Sequence, residues 1–222
     1  MSEIEKLLRE GATALGLILS EVQIAHLLQY LEMLGKWNKV YNLTALRTTN
    51  EMLSHHLLDS LAIVGPLQRQ LQEKGLDELQ PIKILDVGSG AGLPGVVISI
   101  CCPDMVVHCV DAVAKKAAFV QQVSSALGLT NLSGLHSRVE KIKSKYTIIT
   151  SRAFASLLDF VTISSQTLEE VGIWMAMKGK MPDIEIQELP AKVDMFHVEQ
   201  LNVPSLDAER CIVWMQKRKD LQ

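Results

Sequence analysis

Four cysteines in 222 residues, Cys101, Cys102, Cys109 and Cys211, include no C-x-x-C spacing, and no histidine pair at i and i+4 accompanies them. A structural zinc site therefore lacks its ligands, no metal is expected, and the thiols are expected to be reduced, buried and inert. Long apolar runs are missing too. The longest largely apolar stretch, Val96 to Cys102, is far shorter than the ~20 residues a membrane helix needs, and Met1 to Arg9 alternates Glu with Lys where a leader would be apolar. The expectation is a cytoplasmic protein without membrane contact. Nor is there an excess of positive charge. The formal net charge of -3 excludes coating nucleic acid through global attraction, so any such contact must use local patches. Three basic runs qualify: Lys36, Lys39 and Arg47; Arg138 to Lys145; and Lys217, Arg218 and Lys219. Each such run is more often simply a solvated face.

Apolar residues are abundant, at 48% against 21% charged, enough for a packed core and against disorder. The length suits one α/β domain with a short extension, and no internal repeat or low-complexity stretch occurs. The first third predicts helices. Ser20 with Gln23 makes a capping box, and Val22, Leu27, Leu28, Leu31 and Leu34 fall near one helical face. A turn-rich segment, Trp37 to Thr44, separates this from a second helix that begins near Thr49 or Asn50 and is stopped by Gly65 and Pro66. Residues 1–66 thus form a helical extension and 67–80 a connector, leaving 81–222 as the main domain. After Pro81 strands alternate with helices, as in a doubly wound, mostly parallel sheet. Strands are expected at 82–87, 106–110, 148–150, 172–177, 193–198 and 211–215, with helices at 94–101 and 114–127, the latter stopped by Gly128.

Between the first strand and its helix lies Asp86-Val87-Gly88-Ser89-Gly90-Ala91-Gly92-Leu93-Pro94-Gly95. Backbone N–H groups in such a loop surround a ligand at the helix N-terminus. Gly90, Gly92 and Gly95 satisfy G-x-G-x-x-G, which alone would suggest a dinucleotide. Two neighbours argue otherwise: Asp86 would repel a pyrophosphate but attract an ammonium or sulfonium, and Pro94 removes a donor an anion would use. Asp111 closes the next strand, where an acid accepts hydrogen bonds from ribose hydroxyls, or else caps the helix from Ala112 onward. Asp86 and Asp111 together favour an adenosine-bearing, positively charged ligand, which describes S-adenosylmethionine (SAM).

Absence also narrows the acceptor. Amino-group methylation commonly uses an Asp/Asn-Pro-Pro-aromatic loop after the fourth strand, and carbon methylation of pyrimidines uses a cysteine nucleophile. Ser151-Arg152-Ala153-Phe154-Ala155 offers neither. A guanine N7 carries a lone pair and no proton, so alignment and electrostatics suffice for its methylation.

Asn42-Leu43-Thr44, His56-Leu57-Leu58-Asp59-Ser60, the loop Leu85 to Gly95, Ser151 to Ala155 and Lys178-Gly179 resemble, in order and over most of the chain, the RsmG family, also called GidB. That resemblance implies a class I SAM-dependent methyltransferase, Rossmann-like with a seven-stranded sheet and an N-terminal helical extension. It implies action on guanine N7 of 16S rRNA near the decoding site, within the small ribosomal subunit or a precursor. By matching positions, Gly88, Gly90 and Leu93 are expected to contact SAM beside Asp86, Asp111 to hold the ribose, and Val139-Glu140, after the third strand, to border the adenine. Arg152 resembles the arginine facing cofactor and substrate, and is expected to act catalytically by positioning. Lys36, Lys39, Arg47 and Lys178 are the expected RNA contacts. His55, Lys116 and Tyr146-Thr147 depart from the family pattern.

His55 and His56 are expected to pack rather than react, and Trp37, beside Lys36 and Lys39, is the one tryptophan considered for base stacking. Rival functions remain open at this level. A methyltransferase acting on another RNA or on a small molecule would share the cofactor loop, a non-catalytic RNA-binding factor would tolerate its loss, and an oxidoreductase would bind NAD in place of SAM.

Overall fold

Side chains alternate across a strand, so a strand buried on both faces feeds two cores. In the computed structural model, which describes residues 1–79, 81–154 and 156–218, this alternation sorts the interior into two apolar clusters. Gln80, Ala155 and Lys219, which entered the expected connector, strand-end motif and basic tail, lie outside the described residues. Ile84, Ile148, Ile173, Ile212 and Trp214 face one cluster, and Leu85, Ile149, Trp174 and Val213 the other.

The strands are β1 (Lys83–Val87), β2 (Val106–Asp111), β3 (Leu132–His136), β4 (Tyr146–Arg152), β5 (Leu168–Lys178), β6 (Val193–Leu201) and β7 (Arg210–Lys217). They form one sheet ordered β3-β2-β1-β4-β5-β7-β6, parallel except that β7 runs antiparallel to both neighbours. This reversal brings the start of β7 to the edge where the parallel strands end. Cys211 sits opposite Lys178, and Arg210 one residue beyond.

Helices α1 (Glu3–Ala14), α2 (Glu21–Tyr41), α3 (Thr49–Met52), α4 (Asp59–Leu61) and α5 (Val64–Glu73) form the extension, and α6 (Gly95–Cys101), α7 (Ala114–Leu127), α8 (Leu157–Ser164) and α9 (Asp183–Gln187) flank the sheet. The Ser20–Gln23 capping box forms in both directions. Leu27, Leu31 and Leu34 are buried with Ile24 and Tyr30, whereas Val22 faces solvent, one position off the stripe. The segment expected to turn after Trp37 stays helical to Tyr41, ending at Asn42 in the left-handed region (φ 50°). Trp37 packs on Phe119 and Tyr41, which removes it as a base-stacking platform. Gly65 and Pro66 stop nothing. They lie in the first turn of α5, where a missing N–H costs no helical bond, so the helix runs through residue 66 and well into the expected connector. The second helix is instead interrupted by a π-helical turn, Leu53–Leu58.

Helix α2 packs on α6 and α7, so extension and main domain share one continuous core. At the far edge α7 presses on β3 where Gly134 offers no side chain: a Cβ there would lie 2.3 Å from the Ala117 carbonyl oxygen and 3.0 Å from the Gln121 nitrogen. Because those obstacles are backbone, Gly134→Ala should cost about 1–3 kcal/mol and lower Tm by roughly 2–4 °C per kcal/mol. Thermal denaturation checks this, and an unchanged Tm would mean that α7 moves aside freely.

Candidate active site

The cofactor side begins with the loop after β1. Gly88, Gly90 and Gly92 adopt φ of 65°, 58° and 86°, values a side chain would resist, and the N–H groups of Gly88 and Ser89 donate to the Val110 carbonyl. Strand β2 thereby anchors the loop. Asp86, on the α6-facing side of β1, is fully buried behind the loop rather than in the cleft. Its Oδ2 accepts the Gly95 N–H at 2.8 Å, while Oδ1 has no hydrogen-bond partner among the described residues. Burial pushes this carboxyl up to about 7. Gly95 must be glycine: a Cβ would meet Cys109 Sγ at 2.4 Å and Asp86 Oδ2 at 2.9 Å.

Asp111 is not the N-cap of α7, which starts at Ala114 after Val113 with no side-chain cap bond, but both of its carboxylate oxygens are in use. Its Oδ1 accepts the Val113 N–H (2.8 Å) and so shapes the start of α7. Oδ2 accepts the Gly90 N–H (3.0 Å), lies 3.7 Å from Lys116 Nζ, and borders a cleft of about 260 Å³ with Gly88, Val139, Glu140 and Phe154. This cleft fits SAM. Val139 and Phe154 offer flat apolar walls, Asp111 and Glu140 offer acceptors, and a Cβ on Gly88 would fill space against the Phe154 ring at 3.7 Å. Leu93 is buried in the core rather than at the wall, so its contribution is the shape of the loop.

A second cleft, about 470 Å³, opens between the extension and the strand ends, lined by Thr44, His56, Asp59, Arg152, Lys178 and Arg210 among others. Consecutive residues at the end of β4 and just after it line the two clefts. Arg152 faces the second and Phe154 the first, because Ala153 between them takes a left-handed φ of 57°, uncommon for a residue with a side chain. Strand alternation puts Arg152 with Ile148, and Arg210 with Ile212, on the extension side. There both meet Asp59, which is 2% exposed: Arg152 Nη1 donates to Oδ2 at 3.1 Å and Arg210 Nε to Oδ1 at 2.8 Å. Arg152 Nη1 also donates to the His55 carbonyl (3.0 Å), and Nη2 to His56 Nδ1 (3.2 Å). Nδ1 thus sits between a pure donor, Arg152 Nη2, and a pure acceptor, the His55 carbonyl at 3.1 Å, while Nε2 lies 2.6 Å from Thr44 Oγ1. Burial, then the charge of Arg152, lowers His56 to about 4, so it is neutral at physiological pH.

A family model for GidB, the rRNA small subunit methyltransferase G, matches residues 23–213. The chain belongs to that family. It is 58% identical to Ribosomal RNA small subunit methyltransferase G of Acidovorax sp. (strain JS42), over 97% of this chain and 96% of the relative. With the enzyme of the same name from Polaromonas sp. (strain JS666 / ATCC BAA-500) it shares 59%, over 96% and 93%. In three dimensions it resembles an S-adenosylmethionine-dependent methyltransferase from Clostridium acetobutylicum ATCC 824 (TM-score 0.57, 11% identity, 86% and 100% covered). It also resembles the T. thermophilus 16S rRNA N2 G1207 methyltransferase RsmC, solved with AdoMet and guanosine (0.51, 21%, 72% and 43%). The fold is that of class I SAM-dependent methyltransferases, and the protein is a member of the G family of rRNA methyltransferases.

Within this family frame the remaining expected residues fall in two places. Lys36, Lys39 and Arg47 border a third hollow, of about 460 Å³, on the extension, and line neither of the two clefts, although Arg47 follows Leu46 of the second. Lys36 pairs with Glu32 at 2.5 Å, and Arg47 donates to Asn42 Oδ1 at 3.2 Å. Lys178 is no free strand-end cation: it faces the opposite side of the sheet from Arg152 and pairs with Glu185 at 2.7 Å. Asp59, His56, Phe154 and Arg210 went unassigned from sequence. An acid inside the apolar run Leu57-Leu58-Asp59-Ser60-Leu61 was the available signal, since a carboxylate there must find a partner.

Asp86 makes a pH dependence that can be measured without cofactor. Its folded pKa, about 7, lies above the ordinary 3.8, so its contribution to stability is fully present below the ordinary value and is lost as pH rises through about 7. Asp86→Asn removes that titration. Between about pH 5 and pH 8 the stability of the variant should improve relative to the parent, read from denaturant melts. Parallel curves would mean that Asp86 ionises normally.

Proposed function

We propose that this enzyme transfers the methyl group of SAM to N7 of a guanine in 16S rRNA near the decoding site, acting in the cytoplasm on the small ribosomal subunit or a precursor. One observation carries the reading: in the acceptor cleft, whose wall at Arg152 and Ala153 leads directly to Phe154 of the cofactor cleft, the buried groups that could act as a general base are all engaged, and the exposed His55 is the lining imidazole left outside that network. Asp59 is spent on two arginines, His56 is held neutral with its ring engaged, and Lys178 is paired with Glu185. Cysteine chemistry is equally unsupported, because burial raises the Cys101, Cys102 and Cys109 thiols. Chemistry that needs no deprotonation suits such a cleft, and guanine N7 presents a ready lone pair.

When bound, SAM supplies an electrophilic methyl group on a sulfonium. The chain's own residues bind and align. Gly88, Gly90 and Leu93 shape the cradle, Asp111 accepts from the ribose, Val139 and Glu140 border the adenine, and Asp86 holds the loop through Gly95. Arg152, its donors committed to Asp59, His55 and His56, is a positioning residue that sets the wall where the base must lie. A misplacement of about 1 Å there is enough for a loss on the order of a hundredfold. Lys36, Lys39 and Arg47, on the extension, are further contacts with RNA outside the two clefts.

Mass-spectrometric mapping of 16S rRNA from cells with and without the gene tests the function; loss of one N7-methylguanosine is expected, and an unchanged map overturns it. For the cofactor site, Asp111→Ala should weaken SAM binding by about 1–3 kcal/mol, the range for removing hydrogen bonds to a charged acceptor. Calorimetry on the folded variant reads this directly, and equal affinity would take Asp111 out of the site.

A further inference from the structure

The acceptor cleft holds more positive charge than its own groups neutralise. Arg152 and Arg210 share a single carboxylate, Asp59, while Lys178 has Glu185 to itself and His56 is uncharged. One unit of positive charge is therefore left over. It resides in a half-buried place, where water screens it less than on an open surface. The two arginines differ in what they have left to offer. Arg152 has both terminal nitrogens engaged. Arg210 gives Nε to Asp59 and Nη1 to the Glu209 carbonyl, and its Nη2 has no hydrogen-bond partner among the described residues.

We infer that Arg210, aligned by Asp59 beside Arg152, is a binding site for an RNA phosphate next to the base being methylated. The inference rests on the proposed action on RNA and deepens it. A guanidinium held through Nε by a carboxylate has lost its rotational freedom in advance, so little is forfeited when the remaining edge meets an anion. Arg210 also stands at the rim where the parallel strands end, since β7 enters the sheet antiparallel there, and its side chain is 22% exposed, within reach of a ligand. A nucleotide whose base lies against the Arg152–Phe154 wall carries its phosphate a short distance away, toward the outer part of the same cleft.

Two variants of the full-length protein test this: Arg210→Gln, which removes the charge, and Arg210→Lys, which keeps charge without the fork. The ligand is small ribosomal subunits from cells lacking the gene, bound over a range of KCl concentrations. Losing one phosphate contact should reduce the slope of log affinity against log salt by about 0.9 in the Gln variant. The Lys variant should stay near the parent slope. With tritiated SAM, KM for subunits should rise roughly tenfold in the Gln variant, the scale of one charge-assisted hydrogen bond, and kcat should change less. SAM affinity should be unaltered in both.

An unchanged salt slope in a folded Gln variant overturns the site and leaves Arg210 as a clamp for Asp59. Weakened SAM binding with an unchanged slope also overturns it, assigning the guanidinium to the cofactor's carboxylate. If the parent binds subunits without methylating them, the proposed function fails while the slope still decides the phosphate site.

Discussion

A carboxylate buried between two layers of a protein must be met by cations, and Asp59 is met by two arginines. It comes from the extension, and its partners come from β4 and from β7, so one side chain joins three parts of the chain that are 93 and 151 residues away in sequence. Removing one member of such a buried ion pair typically costs about 3–5 kcal/mol, because the other charge is stranded. Asp59 also creates the acceptor cleft. The arginines that would otherwise point in any direction become its wall, and the π-helical turn just before Asp59 brings the His55 carbonyl and the His56 ring to the same guanidinium. A π turn shifts the side chains that follow it around the helix axis, a common device at functional sites.

The extension reaches the cofactor side as well. Tyr30, fully buried in α2, donates its hydroxyl to the Ala91 carbonyl at 2.9 Å, so a helix outside the sheet domain braces the glycine loop. Its phenol is held protonated by burial. Lys115, at the start of α7, donates to the Tyr41 carbonyl at the other end of α2. Gln23 reaches the carbonyls of Ile100 and Cys101 at the end of α6. Helix α2 is thus bonded to the loop, to α6 and to α7. Asn38 of the same helix bonds Thr44 and Leu46, which line the acceptor cleft, so one helix is tied to both the cofactor cradle and the acceptor side.

Much of this was legible in order along the chain. The glycine cluster between two acids needs backbone conformations that only glycine adopts cheaply, and three of its glycines take them. Near-continuous apolar runs marked the central strands because both their faces are covered, although their ends were drawn short, as at β5, which begins at Leu168. Other signals misled for local reasons. Gly65-Pro66 looks like a helix stop, but proline is equally at home in a first turn. Trp37 beside two lysines looks like a stacking platform, but its ring belongs to the contact between α2 and α7.

What the sequence by itself determined is whatever depends on neighbours a few residues apart: the capping box, the loop conformation, the period-two burial and the acid closing β2. Which cations Asp59 would meet depended on contacts made only after the sheet had assembled. Arg210 carries no local sign of its place. It reaches the active edge because β7 enters the sheet antiparallel, and a reversal of direction is a property of strand pairing, not of the eight residues in the strand. Asp86 shows the converse. Its position before the glycine loop was plain, but that its carboxylate turns inward to Gly95 and away from the cleft was decided by α6 packing so closely on β1 that no side chain fits at residue 95.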